Sequence, residues 1–173
     1  IENFAKLAFE SNPNIRISVQ EFWLPHDHFS LPDFRKPNNE DRNTVAIDVV
    51  KARHNAYFET IDAHVKQLNE KFGKTVVYVA PVGQAVVALR EKIVAGEAPG
   101  LTQQNDLFTD PIGHATPPLQ TLVAYVHYSV IYRRSPVGLP ATSGLKKWKS
   151  DVDPALVKLL QELAWKAATE HQI

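Results

Sequence analysis

The sequence predicts an α/β fold, a three-layer α/β/α sandwich with a mainly parallel sheet whose amino-terminal strands are missing from the chain. Two segments with strand-like patterns, 15–23 and 75–81, alternate with segments of helical periodicity, and this alternation is the order of a doubly wound sheet. The second segment is continuously apolar, which is typical of a parallel strand covered on both faces. We therefore expect helices on both faces of the sheet.

The amino-terminal half is predicted to be a helix, a strand, a long loop and a second helix. Residues 1–11 place apolar side chains three and four positions apart, and Asn12-Pro13-Asn14 ends that helix. Residues 15–23 alternate with period two and are rich in β-branched and aromatic residues, which indicates a strand. The stretch 24–43 is dense in Pro, Asn and charge and is typical of a functional loop. The most regular helical pattern spans 44–72 and is followed by Gly73, which suits a C-cap.

The carboxyl-terminal half is predicted to be a strand and three helices joined by loops rich in Gly and Pro. A helix follows the 75–81 strand directly and is closed by Gly96. A second helix begins at Pro117, because proline is well suited to the first turn. The final helix begins near Pro154. The basic stretch 146–149 is expected to be an exposed turn, since short charge runs usually face solvent.

Composition excludes several classes of function. The chain has 19 Lys plus Arg and 19 Asp plus Glu, so its formal net charge is zero and nothing in it predicts binding to nucleic acid or to an anionic membrane. It has no cysteine, which removes disulfides, thiolate zinc sites and a cysteine nucleophile together. No apolar run approaches the roughly 18–20 residues that span a membrane. We therefore expect neither nucleic acid nor membrane among its partners.

The start of the chain indicates that further residues precede it. The sequence contains no methionine and opens at Ile1, inside a segment with helical periodicity. We expect the upstream part to hold more strands and catalytic groups. A signal peptide in that part would make the protein secreted or periplasmic, whereas nothing in the sequence indicates an oligomeric state.

Polar side chains gather on the loop that leads into the Pro117 helix, where Asp110 and His114 lie four residues apart. In open α/β sheets the loops at the carboxyl ends of the strands meet at one edge, so the loops after Trp23 and after Pro81 are expected to approach this one. Serine hydrolysis needs an imidazole that accepts the proton of the nucleophile and an acceptor that orients the ring. His114 is predicted as that base and Asp110 as its orienting partner, although an Asx turn and a capping histidine would give the same spacing.

The residues around this pair resemble the last conserved block of SGNH (GDSL-like) hydrolases. The likeness consists of Asp110-Pro-Ile-Gly-His114, a following helix, and the run His127-Tyr-Ser-Val-Ile-Tyr-Arg-Arg-Ser-Pro-Val-Gly-Leu139. Many bacterial members have an Asp-x-x-His loop and then a helix that ends in a similar Tyr, Ser-Pro-x-Gly phrase. The resemblance covers roughly residues 76–140.

This resemblance implies a flavodoxin-like three-layer fold and a carboxylic-ester hydrolase. The implied substrate is a small-molecule or carbohydrate ester, often an acylated carbohydrate, and neither a cofactor nor a metal is implied. The family also implies a serine nucleophile on a Gly-Asp-Ser-like segment, with oxyanion donors from that serine's backbone, a Gly and an Asn. Residues 1–150 would be the carboxyl-terminal portion of the SGNH-like domain, and residues 151–173 a carboxyl-terminal helix.

Two departures from the family pattern leave alternatives open. The spacing here is Asp-x-x-x-His, one residue longer than usual, so Asp106 or a backbone carbonyl could orient His114 in place of Asp110. No Gly-Asp-Ser, Gly-x-Ser-x-Gly or Gly-x-Asn-Asp segment occurs in the 173 residues, so the nucleophile is expected upstream. The alternative function is a catalytically inactive SGNH-like domain that keeps its crevice for binding or has a structural role.

Two further side chains are candidates for substrate binding. Trp23, at the expected carboxyl end of a strand, could stack on a sugar ring, although a large aromatic residue there is at least as often part of the core. Gln84 follows the 75–81 strand and either contacts the ligand or simply opens the next helix. His127 lies within the Pro117 helix and is predicted to be a structural histidine.

A metal centre is a weaker alternative. His26-Asp27-His28 offers three ligand atoms, and His54 or His64 could complete a site. Alternating histidines on a polar loop are more often solvated surface residues. We therefore predict no metal in this protein.

Overall fold

The computed structural model describes residues 1–24, 42–149 and 151–171, and this part of the chain is mostly helical. It contains six α-helices, one 3₁₀ helix and a two-stranded sheet. In chain order the elements are α1 (Glu2–Ser11), β1 (Ile17–Gln20), α2 (Ile47–Phe72), β2 (Val77–Ala80), α3 (Val82–Val94), a 3₁₀ helix (Gln104–Leu107), α4 (Pro117–Tyr132), α5 (Ser143–Trp148) and α6 (Pro154–Glu170).

The two strands are parallel, and their register places Ile17 beside Val77 and Gln20 beside Ala80. Because side chains alternate along a strand, the two faces of the sheet have different neighbours. On one face the valines and isoleucines of both strands pack with α1 and α2. On the other face Gln20 reaches α4, where its Oε1 lies 2.9 Å from His127 Nε2. The sheet is therefore covered by different helices on its two sides.

The larger apolar core lies among α3, α4 and α6. Leu89 of α3, Leu122 of α4 and Leu160 of α6 are fully buried in it. These helices have apolar side chains spaced by three and four residues, so each presents a continuous stripe to the other two. None of the described helices combines the length and the apolar character needed to cross a membrane.

The predicted three-layer sandwich with a flavodoxin-like sheet is wrong for this chain. Helices form 60% of the structure, and only two strands of four residues each occur in the ranges described above. Most of the predicted helices and strands do form, each within a few residues of its expected bounds. The error lies in the assembly, because two short strands cannot separate two helical layers along their whole length. Helices α3, α4 and α6 bury their apolar faces against each other instead.

The basic stretch 146–149 also differs from its prediction, since most of it belongs to a helix rather than a turn. Helix α5 begins after Thr142, whose Oγ1 accepts a hydrogen bond from Leu145 N at 3.3 Å. A threonine in that position satisfies one of the unpaired amide groups of the first turn. Leu145 is fully buried and joins the α3–α4–α6 core, so a single apolar anchor supports this short helix.

The first turn of α3 lies very close to the end of β1 and to α2. Gly83 N donates a hydrogen bond to Glu21 O at 3.0 Å. A Cβ atom on Gly83 would lie 2.5 Å from Phe58 Cε1 and 2.8 Å from Phe22 O. Only glycine therefore fits at this position without displacing either the backbone after β1 or the α2 side chain.

We expect Gly83→Ala to lower the free energy of unfolding by about 1–3 kcal/mol, because the new methyl group overlaps Phe58 and the Phe22 backbone. Gly144→Ala is the matched control. Gly144 lies within α5, and a methyl group added there would have no neighbouring atom within 4 Å, so alanine should be neutral or stabilise by up to about 1 kcal/mol. Urea denaturation of both proteins measures the difference, and equal stability of the two variants would contradict the close approach.

Candidate functional site

The predicted Asp/His loop is a tight hairpin between the 3₁₀ helix and α4. Phe108 and Ala115 form an antiparallel β-bridge at its base, and Thr109 N donates to His114 O at 2.8 Å. Gly113 has φ +87°, in the left-handed region that favours glycine. The hairpin therefore turns back sharply just before His114, and this turn brings the histidine beside the start of the loop.

Asp110 and His114 are in direct contact. Asp110 Oδ2 is hydrogen-bonded to His114 Nδ1, and Asp110 Oδ1 accepts a hydrogen bond from His114 N at 3.1 Å. The hydrogen bond from the His114 side chain is the main cause that lowers the pKa of Asp110 below its usual value, so the carboxyl is ionised at neutral pH. An ionised carboxylate can only accept hydrogen bonds, and the proton of this contact therefore resides on Nδ1.

The remaining ring nitrogen of His114 is available for chemistry. With Nδ1 bound to Asp110, the neutral ring has its lone pair on Nε2. The His114 side chain is 69% exposed and that of Asp110 is 33% exposed. A substrate or a nucleophile can thus reach Nε2 from solvent, while the Asp110 carboxylate remains hydrogen-bonded to Nδ1.

The longer Asp-x-x-x-His spacing does not prevent this contact, and Asp106 is engaged elsewhere. Asp106 Oδ2 accepts hydrogen bonds from Thr102 N at 2.7 Å and from Gln103 N at 2.9 Å. These bonds belong to the capping of the 3₁₀ helix. Asp110, and not Asp106, is therefore the carboxylate that orients His114.

Trp23 lies beneath the hairpin as an anchor. Its indole Nε1 donates a hydrogen bond to Gly113 O at 2.8 Å, and the side chain is only 5% exposed. Its ring stacks on Phe22 with the centroids 4.1 Å apart. The predicted stacking of Trp23 on a sugar stays a prediction, and the contacts that the structure does give this residue hold the His114 hairpin to the end of β1.

Arg42 is a second anchor, and sequence reasoning missed it. Its Nη2 donates to Pro111 O at 2.9 Å and its Nη1 to Asp110 O at 3.4 Å. The guanidinium also lies over the Phe108 ring, 4.1 Å from its centroid. The side chain is buried. No local pattern could have identified Arg42, because its partners are 68 and 69 residues away in the sequence.

A buried carboxyl group lies at the carboxyl end of β1. Glu21 is fully buried, and its two carboxyl oxygens accept hydrogen bonds from Gln84 Nε2 at 3.1 Å and Gln84 N at 3.2 Å. Burial raises the pKa of Glu21 to about 7, and the bonds from Gln84 act in the opposite direction. Gln84 Nε2 also lies 2.9 Å from His171 Nδ1, at the end of α6. The amide of Gln84 thus joins three elements, and its predicted contact with substrate stays a prediction.

The other histidines of the described core have structural contacts. His54 is buried in α2, with Nδ1 2.8 Å from Val50 O and Nε2 accepting from Leu24 N at 3.2 Å. Burial lowers the pKa of His54, so the ring is neutral and its two nitrogens are both in use. His127 of α4 is hydrogen-bonded to Gln20 at the end of β1, on the sheet face that α4 covers, which agrees with a structural histidine.

A metal site is not formed by the part of the chain that the structure describes. No group of three His, Asp or Glu side chains there has a metal-binding arrangement. His54, one of the proposed ligands, has both ring nitrogens engaged with backbone groups. The run His26-Asp27-His28 lies outside the described residues.

Comparison with known proteins assigns no family to this chain. No protein-family model, no curated protein and no solved structure matches it. The SGNH-like motif in the sequence and the geometry of the Asp110–His114 pair are therefore the two features that bear on function.

The anchoring role of Trp23 leads to a stability prediction. Trp23→Phe removes the hydrogen bond to Gly113 O and leaves unfilled volume, so it should lower the free energy of unfolding by about 1–3 kcal/mol. Trp148→Phe is the control, because Trp148 is 42% exposed and should change stability by less than about 0.5 kcal/mol. Urea denaturation followed by circular dichroism measures both. A Trp23→Phe protein as stable as the control would show that the hairpin does not depend on this bond.

The raised pKa of Glu21 predicts a pH-dependent stability. Between the ordinary value of 4.5 and the folded value of about 7, the folded state binds more protons than the unfolded state. The stabilising contribution of the protonated carboxyl is therefore full below pH 4.5 and is lost as the pH rises through about 7. Relative to Glu21→Gln, the natural protein should lose roughly 1–3 kcal/mol of unfolding free energy over this window.

Urea denaturation at a series of pH values measures this loss. Histidines with lowered pKa values, such as His54, change stability in the opposite direction, but they are common to both proteins and cancel in the difference. Glu59→Gln, at an exposed position of α2, should retain the pH dependence of the natural protein. Parallel pH profiles for the natural protein and Glu21→Gln would disprove the proton uptake by Glu21.

Proposed function

We propose that this chain provides the general base of a serine ester hydrolase of the SGNH type, with the nucleophilic serine supplied by upstream sequence. The observation that supports the proposal is the Asp110–His114 pair, in which Nδ1 is held by an ionised carboxylate and Nε2 is open to solvent. This is the arrangement that a base needs in order to take a proton from a hydroxyl nucleophile. The SGNH-like residues around the pair are a second, sequence-based support.

In the proposed reaction, His114 Nε2 removes the proton of the serine hydroxyl while the serine oxygen attacks the ester carbonyl carbon. The tetrahedral intermediate then collapses as the imidazolium returns that proton to the leaving alcohol, and an acyl-enzyme forms. Water attacks the acyl-enzyme with His114 again as the base, which releases the acid and restores the serine. Throughout, the Asp110 carboxylate keeps the proton on Nδ1 and stabilises the imidazolium.

The exposure of His114 favours a substrate with a bulky alcohol part. Its side chain lies on a surface hairpin and is 69% exposed. An acylated carbohydrate can approach such a group without passing through a narrow tunnel. We therefore propose a carbohydrate ester rather than a long-chain lipid ester, because a lipid chain requires an apolar channel beside the base.

The second candidate function is a catalytically inactive SGNH-like domain. The 173 residues contain no Gly-Asp-Ser segment, and the observation that favours this candidate is that His114 is also well placed to fasten its own hairpin through Asp110. In that case the pair would have a structural role only.

Fluorophosphonate labelling of the full-length protein tests the proposal. His114→Ala should reduce the labelling rate by about 10³-fold or more, because the serine loses its base. Asp110→Asn should reduce the rate by about 10²–10⁴-fold, because no carboxylate then fixes the tautomer of His114 that has its proton on Nδ1. His64→Ala, an exposed histidine on α2, is the matched control and should label at the natural rate. Circular dichroism confirms that each variant is folded.

Two results would contradict the proposal. Labelling that persists at the natural rate in His114→Ala would exclude this histidine as the base. A folded full-length protein that is not labelled at all, and that does not release acetate from acetylated sugars, would support the inactive domain.

A further inference from the structure

A cavity lined by both polar and apolar side chains lies away from the Asp110–His114 hairpin, among the two strands, α4 and the end of α6. Its volume is about 230 Å³. The residues that line it include two arginines, Arg16 before β1 and Arg133 after α4, and the aromatic rings of Tyr78 and Trp165. No aspartate or glutamate is among the lining residues. The lining thus includes two arginines and no carboxylate side chain, although the net charge of the whole chain is zero.

The two guanidinium groups share one aromatic ring. The Cζ atoms of Arg16 and Arg133 lie 4.4 Å and 5.8 Å from the centroid of the Tyr78 ring. Neither arginine forms an ion pair with any carboxylate of residues 1–24, 42–149 or 151–171. Two like charges held at one ring repel each other, and a cation–π contact at an exposed site compensates only weakly. An anion that accepts hydrogen bonds from both guanidinium groups would offset this repulsion.

The backbone at Arg133 points to the same conclusion. Arg133 has φ 52° and ψ 42° at the C-cap of α4, and it is the one non-glycine residue with positive φ in the described ranges. Glycine is the usual residue at such a helix end, because other side chains are strained in the left-handed region. Arg133 thus occupies a position whose backbone conformation favours glycine, and its side chain lines the cavity. Strained positions of this kind often have a functional role.

We infer that this cavity binds a small phosphate-type oxyanion, with Arg16 and Arg133 as its two charged ligands. Guanidinium groups donate paired hydrogen bonds that match the oxygens of phosphate, and two of them suit a dianion. The Tyr78 and Trp165 rings give the cavity an aromatic surface on which an organic group attached to the phosphate could pack. The site shares no residue with the proposed esterase pair, so it is independent of that function.

Isothermal titration of the full-length protein with inorganic phosphate tests this inference, at an ionic strength held constant with sodium chloride. We expect saturable binding at one site. Arg16→Gln and Arg133→Gly should each raise the dissociation constant by about tenfold or more, because each removes one charged ligand. Arg134→Gln is the matched control, since Arg134 is exposed but does not line the cavity, and it should change the constant less than about twofold.

The Arg133→Gly variant also separates loss of the site from loss of the fold. Glycine is favoured at φ 52°, so this variant should melt at the same temperature as the natural protein or higher, and phosphate should no longer raise that temperature. Phenyl phosphate distinguishes the source of the anion: tighter binding than inorganic phosphate indicates a phosphate ester, and equal binding indicates free phosphate.

Two outcomes would overturn the inference. If Arg134→Gln weakens phosphate binding as much as Arg16→Gln does, the attraction is a general effect of surface charge. If phosphate stabilises the folded protein no more than chloride at equal ionic strength, the cavity is not an oxyanion site.

Discussion

The parallel pairing of β1 with β2 is the constraint on which the rest of the site depends. It places Glu21 directly beyond the last paired residue, where its backbone oxygen accepts from Gly83 N at the start of α3. From this fixed point the chain needs only two more residues to bring the Trp23 indole within 2.8 Å of Gly113 O. The pairing of the two four-residue strands thus fixes the position of the hairpin that contains Asp110 and His114.

Buried polar groups, rather than apolar contacts alone, connect the loops to this framework. Glu21, Arg42 and His54 are all buried, and each is bonded to backbone atoms of a different segment. A buried polar group without a partner is strongly unfavourable, so such groups select one arrangement of the chain among many similarly compact ones. The core of α3, α4 and α6 contains more buried apolar residues than either of the other two clusters, while these polar side chains determine where the loops lie.

The zero net charge of the chain does not describe the local charges that a small ligand would meet. The equal numbers of acidic and basic residues argue against a polyanionic partner. Locally the charges are separated, however, with the Asp110 carboxylate against His114 at the hairpin and two guanidinium groups at the Tyr78 ring. A ligand that interacts with only one of these regions experiences the local field and not the average over the chain.

Sequence alone was sufficient for the features that depend on near neighbours. The helix that ends at Phe72 with left-handed Gly73 was predicted from periodicity. The pairing of Asp110 with His114 was predicted from the resemblance to the SGNH block, with Asp106 and a backbone carbonyl left open as alternatives. Sequence did not predict that a two-stranded sheet would replace the sandwich. It also did not predict the contacts of Arg42 and Trp23 with the hairpin, because those side chains bind residues that are distant in the sequence. Local propensities determine which elements form, whereas their pairing depends on packing and on hydrogen-bond satisfaction across the whole chain, which only the tertiary structure decides.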